Sequence, residues 1–182
     1  MTGRVFDHVF AWQMTPRQVA DAASLLAAAA AGRFGLVDQV IAIERGGIEP
    51  ARAIAGKLGA HLRTVRARHN PTSDLYAQAT GQVSCAVSGI AAGAVSGCVL
   101  IVDDICGTGA TLHAVTSVLS GLAAPGSRLH TATLCRNAGA SARPGLTVWD
   151  DLREWVVFPW EPRPPASTAL RMLPDPEQAH AA

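Results

Sequence analysis

Two hydrophobic periods alternate along this chain. Residues 16–31 are rich in Ala and Leu with polar positions on one side, a helical pattern, introduced by Thr15 as N-cap and Pro16 at the first helical position and closed at Gly32. An apolar strand pattern at 37–43 follows, then a helix over 49–58 with Pro50 in its first turn and Gly59 past its end. Residues 61–67 alternate as a strand. Residues 68–80 have no clear period and contain Pro71, so they read as a long loop. Strand patterns at 82–88, 99–102 and 128–135 surround a small-residue turn region at 90–97 and a helix over 112–122, with Pro125-Gly126 breaking the chain. Residues 137–144 read as a loop and 154–158 as a short apolar segment. Strands alternating with helices predict an α/β fold, a parallel β-sheet flanked by helices. No internal repeat or linker divides it.

The run at 98–111, CVLIVDDICGTGAT, changes this picture from architecture to chemistry. A fully apolar strand ends at two carboxylates, Asp103 and Asp104. In open α/β sheets ligands bind at that end of the strands. Gly107, Thr108, Gly109, Ala110 and Thr111 then run into a helix, where backbone N–H groups, hydroxyls and the helix dipole favour an anion. An acid pair beside an anion cradle suits a ligand with hydroxyls or a metal at one end and phosphate at the other. No GxxxxGK[ST] motif occurs, which argues against a Walker-type nucleotide site.

This segment resembles the signature of type I phosphoribosyltransferases, which bind 5-phosphoribosyl-1-pyrophosphate (PRPP). Two other segments agree in order. Residues 41–47, IAIERGG, resemble the family's pyrophosphate loop, and 155–161, WVVFPWE, resemble the hood of the xanthine-guanine and hypoxanthine-like purine branch. The resemblance implies a type I phosphoribosyltransferase fold with a small C-terminal hood, over one domain at 1–161. A Pro-rich tail at 162–182 is expected to be irregular. It implies a Mg²⁺-dependent transferase that joins a nucleobase to PRPP and releases pyrophosphate, and a homodimer. By the same resemblance, Asp103, Asp104 and Arg45 serve catalysis, Asp104 facing the metal and Asp103 the ribose hydroxyls. Cys106 through Thr111 hold the 5′-phosphate, and Arg45, Gly46 and Gly47 the pyrophosphate, with the Glu44–Arg45 bond expected in the cis form. Trp155 stacks on the base, the Val156 backbone reads its edge, and Arg136 stands where the xanthine-guanine branch has a Lys for the 6-oxo group. Residues 68–80 take the place of the family's mobile catalytic loop, with Arg66, Arg68, His69, Ser73 and Tyr76 as its polar groups. Gly107 stands where hypoxanthine-guanine enzymes carry an Asp that handles the N7 proton. Its absence implies poor use of hypoxanthine and guanine.

Composition narrows the rest. The 182 residues suffice for one sizeable core, and a formal charge of +1 gives no basic excess for nucleic acid. No apolar run approaches the ~18 residues of a membrane helix. Residues 1–17 lack a signal-peptide core, so a cytoplasmic protein is expected. Cys85, Cys98, Cys106 and Cys135 show no metal spacing and read as small buried hydrophobes. A second reading, a PRPP-binding regulator without catalysis, shares the same site residues.

Overall fold

The computed structural model describes residues 3–68, 84–86 and 90–176. Its elements are β1 (Ala11–Gln13), α1 (Pro16–Phe34), β2 (Gln39–Glu44), α2 (Ile48–Leu58), β3 (His61–Arg68), β4 (Ser84–Ala86), β5 (Cys98–Cys106), α3 (Ala110–Leu122), β6 (Arg128–Asn137), β7 (Leu146–Leu152), β8 (Trp155–Val157) and β9 (Leu170–Met172). Six strands form the main sheet in the order β4-β3-β2-β5-β6-β7. All neighbours are parallel except β3 and β4. The α/β class expected from the pattern is the class observed.

The continuous apolar runs are explained by burial on both faces. Val40, Ala42, Leu100 and Val102 point toward α1 and α2, where they meet Ala22, Leu26 and Ile54. Ile41, Ile43, Val99 and Ile101 point the other way, onto Leu112, Val115 and Leu119 of α3. Successive side chains on a strand face opposite sides, so each run feeds two cores at once.

Thr15 and Gln18 form the reciprocal cap anticipated at the start of α1: Gln18 N–H donates to Thr15 Oγ1 at 3.2 Å, and Thr15 N–H to Gln18 Oε1 at 3.0 Å. The helix ends later than expected. Gly32 is tolerated inside it, and Gly35 closes it at φ +77°. Strand β5 continues through the acids, and α3 begins two residues before Leu112.

A second sheet, β8-β1-β9, forms the hood. Its central strand comes from the N-terminal end of the chain, and both partners run parallel to it. The expectation of an irregular tail is corrected in the region of β9. Leu173 N–H donates to Gln13 O at 3.0 Å, the Leu173 side chain is buried, and Trp149 Nε1 donates to Pro174 O at 3.1 Å. The open edge of β1 gives this segment backbone partners that its own sequence does not advertise. Strands β1 and β7 were also missed from the pattern.

Candidate active site

The sheet order places a switch point between β2 and β5. From β2 the chain crosses to β3 on one side, while β5 pairs on the other, so the loops leaving β2 and β5 diverge and open a crevice. Both strands end there in site residues. Ala42 pairs with Val102, which brings the turn after Glu44 beside Asp103 and Asp104. The Glu44–Arg45 peptide is cis, as expected. Gly47 N–H donates to Ile43 O at 2.9 Å and closes the turn. Gly46 lies so close to Asp104 that a Cβ would run into its carboxylate. A Cβ on Gly47 would meet Ile43 O at 2.8 Å and also crowd Val102 O. Arg45 is exposed at the mouth of the crevice. The two loops predicted from separate motifs are therefore packed backbone against carboxylate.

The turn after β5 forms the opposite wall. Gly109 sits at φ +93°, a conformation open to Gly, and acts as N-cap of α3. The cap supplies no side-chain hydrogen bond, and the first turn of α3 carries no acid. The N–H groups that open α3 suit an anion, although that of Ala110 is already drawn to Thr108 Oγ1. The loop is braced from 141–142: Ser141 N–H and Oγ both donate to Thr108 O, at 3.2 and 3.1 Å. Thr108 Oγ1 accepts from Ala110 N–H at 3.3 Å. The Cys106 side chain is turned into the protein. Its Sγ is buried against Ala142 O at 3.7 Å, and burial pushes the thiol up to about 11, so it is neutral and unreactive near pH 7.

Electrostatically the crevice holds more negative charge than it solvates. Asp103 is buried and accepts from Asp104 N–H at 3.0 Å. Burial and then the neighbouring Asp104 raise its carboxyl well above the ordinary range. Burial pushes Asp104 up to about 6, opposed by the Ile105 N–H and the Trp160 indole. Glu161 joins this pair. Burial and then the Asp104 charge raise it to about 7, against the pull of Phe158 N–H, which donates to Glu161 Oε2 at 3.0 Å. Carboxylates short of solvation would gain from a divalent cation. Among the described residues no three His, Cys, Asp or Glu converge as a metal cage.

Trp155 opens β8 and is half-buried, and Val156 beside it is buried and paired with Trp12. Phe158 and Trp160 stack at 5.1 Å between ring centres. Arg136 is the last residue but one of β6, with its guanidinium almost fully enclosed. Its Nε donates to Asp150, Nη1 to Ala140 O at 3.4 Å, and Nη2 lies 3.7 Å from Asp151. Arg66 pairs with Glu44 at 3.0 Å at the end of β3. His69, Ser73 and Tyr76 lie outside the described residues, and of Arg68 only the backbone, in β3, is described.

Two site residues escaped the sequence reading. Glu161 was inside the hood motif without a role. Arg4 was overlooked altogether. A Cβ on Gly107 would run into the Arg4 guanidinium, whose Cζ also lies 5.9 Å from the Trp155 ring centre. The charges of Asp104, Asp103 and Glu161 all act on it.

Comparison with known proteins agrees with this geometry. The model of the phosphoribosyl transferase domain matches residues 15–166. No curated protein matches the chain in sequence. Among solved structures, a purine phosphoribosyltransferase from Pyrococcus horikoshii is 28% identical, with a TM-score of 0.67 over 85% of this chain and 96% of the other. A xanthine-guanine-hypoxanthine phosphoribosyltransferase from Helicobacter pylori shares the fold at 17% identity, with a TM-score of 0.67 over 83% and 93%. A hypoxanthine phosphoribosyltransferase from Staphylococcus aureus does so at 18%, with a TM-score of 0.57 over 84% and 81%.

Proposed function

Because the chain belongs to the phosphoribosyltransferase family, we propose that it transfers the 5-phosphoribosyl group of PRPP to a purine or purine-like base. The products are a nucleoside 5′-monophosphate and pyrophosphate. One observation carries the reading: the loop after β2 and the acid pair of β5 meet at the switch point, with the Gly107–Thr111 turn across from them. The similarity to the Pyrococcus horikoshii enzyme supports a purine acceptor.

In this mechanism the 5′-phosphate lies on the N–H groups opening α3. Asp103 takes the ribose hydroxyls, and Asp104 faces the metal–PRPP site. Arg45 grips the pyrophosphate through its forked donors, helped by the N–H groups of Gly46 and Gly47. Asp104 would hold Mg²⁺, which would supply neutralising charge to the leaving group. The C1′–oxygen bond to pyrophosphate breaks as a base nitrogen bonds to C1′, and the N–H proton of the base passes to solvent water. Trp155 stacks on the base and fixes its plane, and the Val156 backbone meets its edge. The protein mainly positions reactants and stabilises developing charge. We read 1–161 as one such domain, cytoplasmic and dimeric. No helix among the described residues is long and apolar enough to cross a membrane.

The test is pyrophosphate release with PRPP, Mg²⁺ and a panel of adenine, guanine, hypoxanthine, xanthine, orotate and uracil. Release that requires a purine supports the reading. No release with any base, with PRPP still bound, would favour a PRPP-binding regulator instead.

A further inference from the structure

Residues 138–145 join β6 to β7 and lie against the turn that opens α3. Ser141 N–H and Oγ both donate to Thr108 O, at 3.2 and 3.1 Å. Cys106 Sγ lies 3.7 Å from Ala142 O, and a Cβ on Gly109 would run into Ala142 Cβ. The turn therefore keeps its place only where residues 140–142 keep theirs. Those residues are held in turn by Arg136, which pairs with Cys106 in the β5–β6 register. Its Nη1 donates to Ala140 O at 3.4 Å, its Nε to Asp150 Oδ1, and its Nη2 lies 3.7 Å from Asp151. Arg143 Nη1 donates to the other oxygen of Asp150 at 3.4 Å, so one carboxylate ties both ends of the connection to β7. The sheet is irregular at this point. Its β6–β7 pairing steps from Cys135–Trp149 to Asn137–Leu152, one residue more on β7 than on β6, and Asp151 sits at φ +58°. Neighbouring side chains on a regular strand point apart, and a bulge re-aims them. Here the irregularity brings two adjacent acids to one guanidinium.

We infer that Arg136 is a positioning residue for the phosphate turn and not a reader of the base; this rests on the transferase reading above. Its place in the sequence suits a donor to a 6-oxo group. In the fold each of its three nitrogens has a protein oxygen as partner, and the side chain is almost wholly enclosed. A planar fork of charge-assisted donors fixes a geometry that a flexible ammonium would leave loose. The chain of contacts from β7 to the phosphate is continuous. It runs from Asp150 through Arg136 to Ala140 O, and from the neighbouring Ser141 to Thr108 O and the N–H groups that open α3. Arg136 thus acts on the substrate only through the turn. It sets where the 5′-phosphate lies, and with it the distance of C1′ from the base. A misplacement of about 1 Å is enough to cost about 10²-fold in a positioned reaction.

Calorimetric titrations of the full chain with ribose 5-phosphate and with inorganic pyrophosphate, each with Mg²⁺, test this without needing turnover. Arg136→Met keeps the apolar stem and loses the fork. It should bind ribose 5-phosphate at least about 10-fold more weakly than the wild type. Pyrophosphate, held by the loop after β2, should bind within about twofold of the wild type. Asp150→Ala, which releases both ends of the connection, should follow Arg136→Met. Thermal unfolding shows which variants are folded. Ser141 is exposed, so Ser141→Ala keeps the test open even if Arg136→Met does not fold. It should lose about two- to tenfold for ribose 5-phosphate alone. In the double variant the second change should add less than it does by itself, because both act through Thr108. Where a base is turned over, the KM for PRPP should rise in Arg136→Met and the KM for the base should stay within about twofold. Unchanged ribose 5-phosphate binding in a folded Arg136→Met or in Ser141→Ala would overturn the role of Arg136. So would equal losses for the two ligands, a rise confined to the KM for the base, or fully additive losses in the double variant. The transferase reading fails separately: a wild type that binds ribose 5-phosphate through the braced turn and releases no pyrophosphate with any base would overturn that reading and leave Arg136 in its role.

Discussion

Gly46 and Arg45 set the sharpest expectations for single residues. A Cβ at Gly46 would collide with the Asp104 carboxylate, so Gly46→Ala must move either the loop or the acid. PRPP affinity should fall at least about 10-fold, since misplacing a charged hydrogen-bond partner costs about 1.5–3 kcal/mol. Gly56 is the control. It lies inside α2 with open space around its Cβ, and Gly56→Ala should stabilise the fold by about 0.4–1 kcal/mol with PRPP binding unchanged. Arg45→Ala should raise the KM for PRPP and weaken pyrophosphate inhibition by a similar 1.5–3 kcal/mol, roughly. Unaltered inhibition would remove this loop from the pyrophosphate site. At this scale the sequence was legible wherever a motif was contiguous. Asp103, Asp104 and Gly107 to Thr111 adjoin one another, so the strand end and the turn that carry them show in one glance. Arg4 was not legible, because everything that gives it meaning lies about a hundred residues or more along the chain. Glu161 was visible only as the end of a motif, since Asp104, whose charge acts on it, lies far along the chain.

The hood depends on segments from both ends of the chain. Trp155→Ala should impair use of the base more than binding of PRPP, because it removes a stacking face worth ~0.5–1.5 kcal/mol beyond its buried area. Steady-state kinetics with each substrate varied in turn would check this, and equal losses would mark Trp155 as a support for the hood. The strands that build this layer are three residues each, too short to display a period, which is why β1 and β9 were not anticipated. Long elements were read well in kind and less well at their ends. Gly32 looks like a terminator, yet it faces open space inside α1, and the tertiary contacts of Phe34 with His130 carry the helix to Gly35. The strand at 146–152 was hidden by its Trp149-Asp150-Asp151 run, whose acids are drawn to Arg136.

Across the molecule, the buried acids tie stability to pH. Asp103, Asp104 at about 6 and Glu161 at about 7 all have folded values above their unfolded ones. Such groups bind more protons when folded, so their contribution is full below the unfolded carboxylate range and is lost as pH rises through the folded values. The unliganded protein should lose thermal stability between about pH 5 and pH 8 on their account, and Glu161→Gln should flatten the upper end of that fall. Cation and PRPP binding should oppose the loss. A melting temperature that rises across this window with no effect of Glu161→Gln would show the carboxylates to be well solvated. The same convergence of acids, glycine loop and phosphate turn makes the central claim testable in one measurement, calorimetric titration of PRPP with Mg²⁺ into the wild type and Asp104→Asn. Saturable binding to the wild type and at least about 10-fold weaker binding to an equally folded variant is the expected result. The same affinity in both proteins, or no binding to the wild type, would contradict the account.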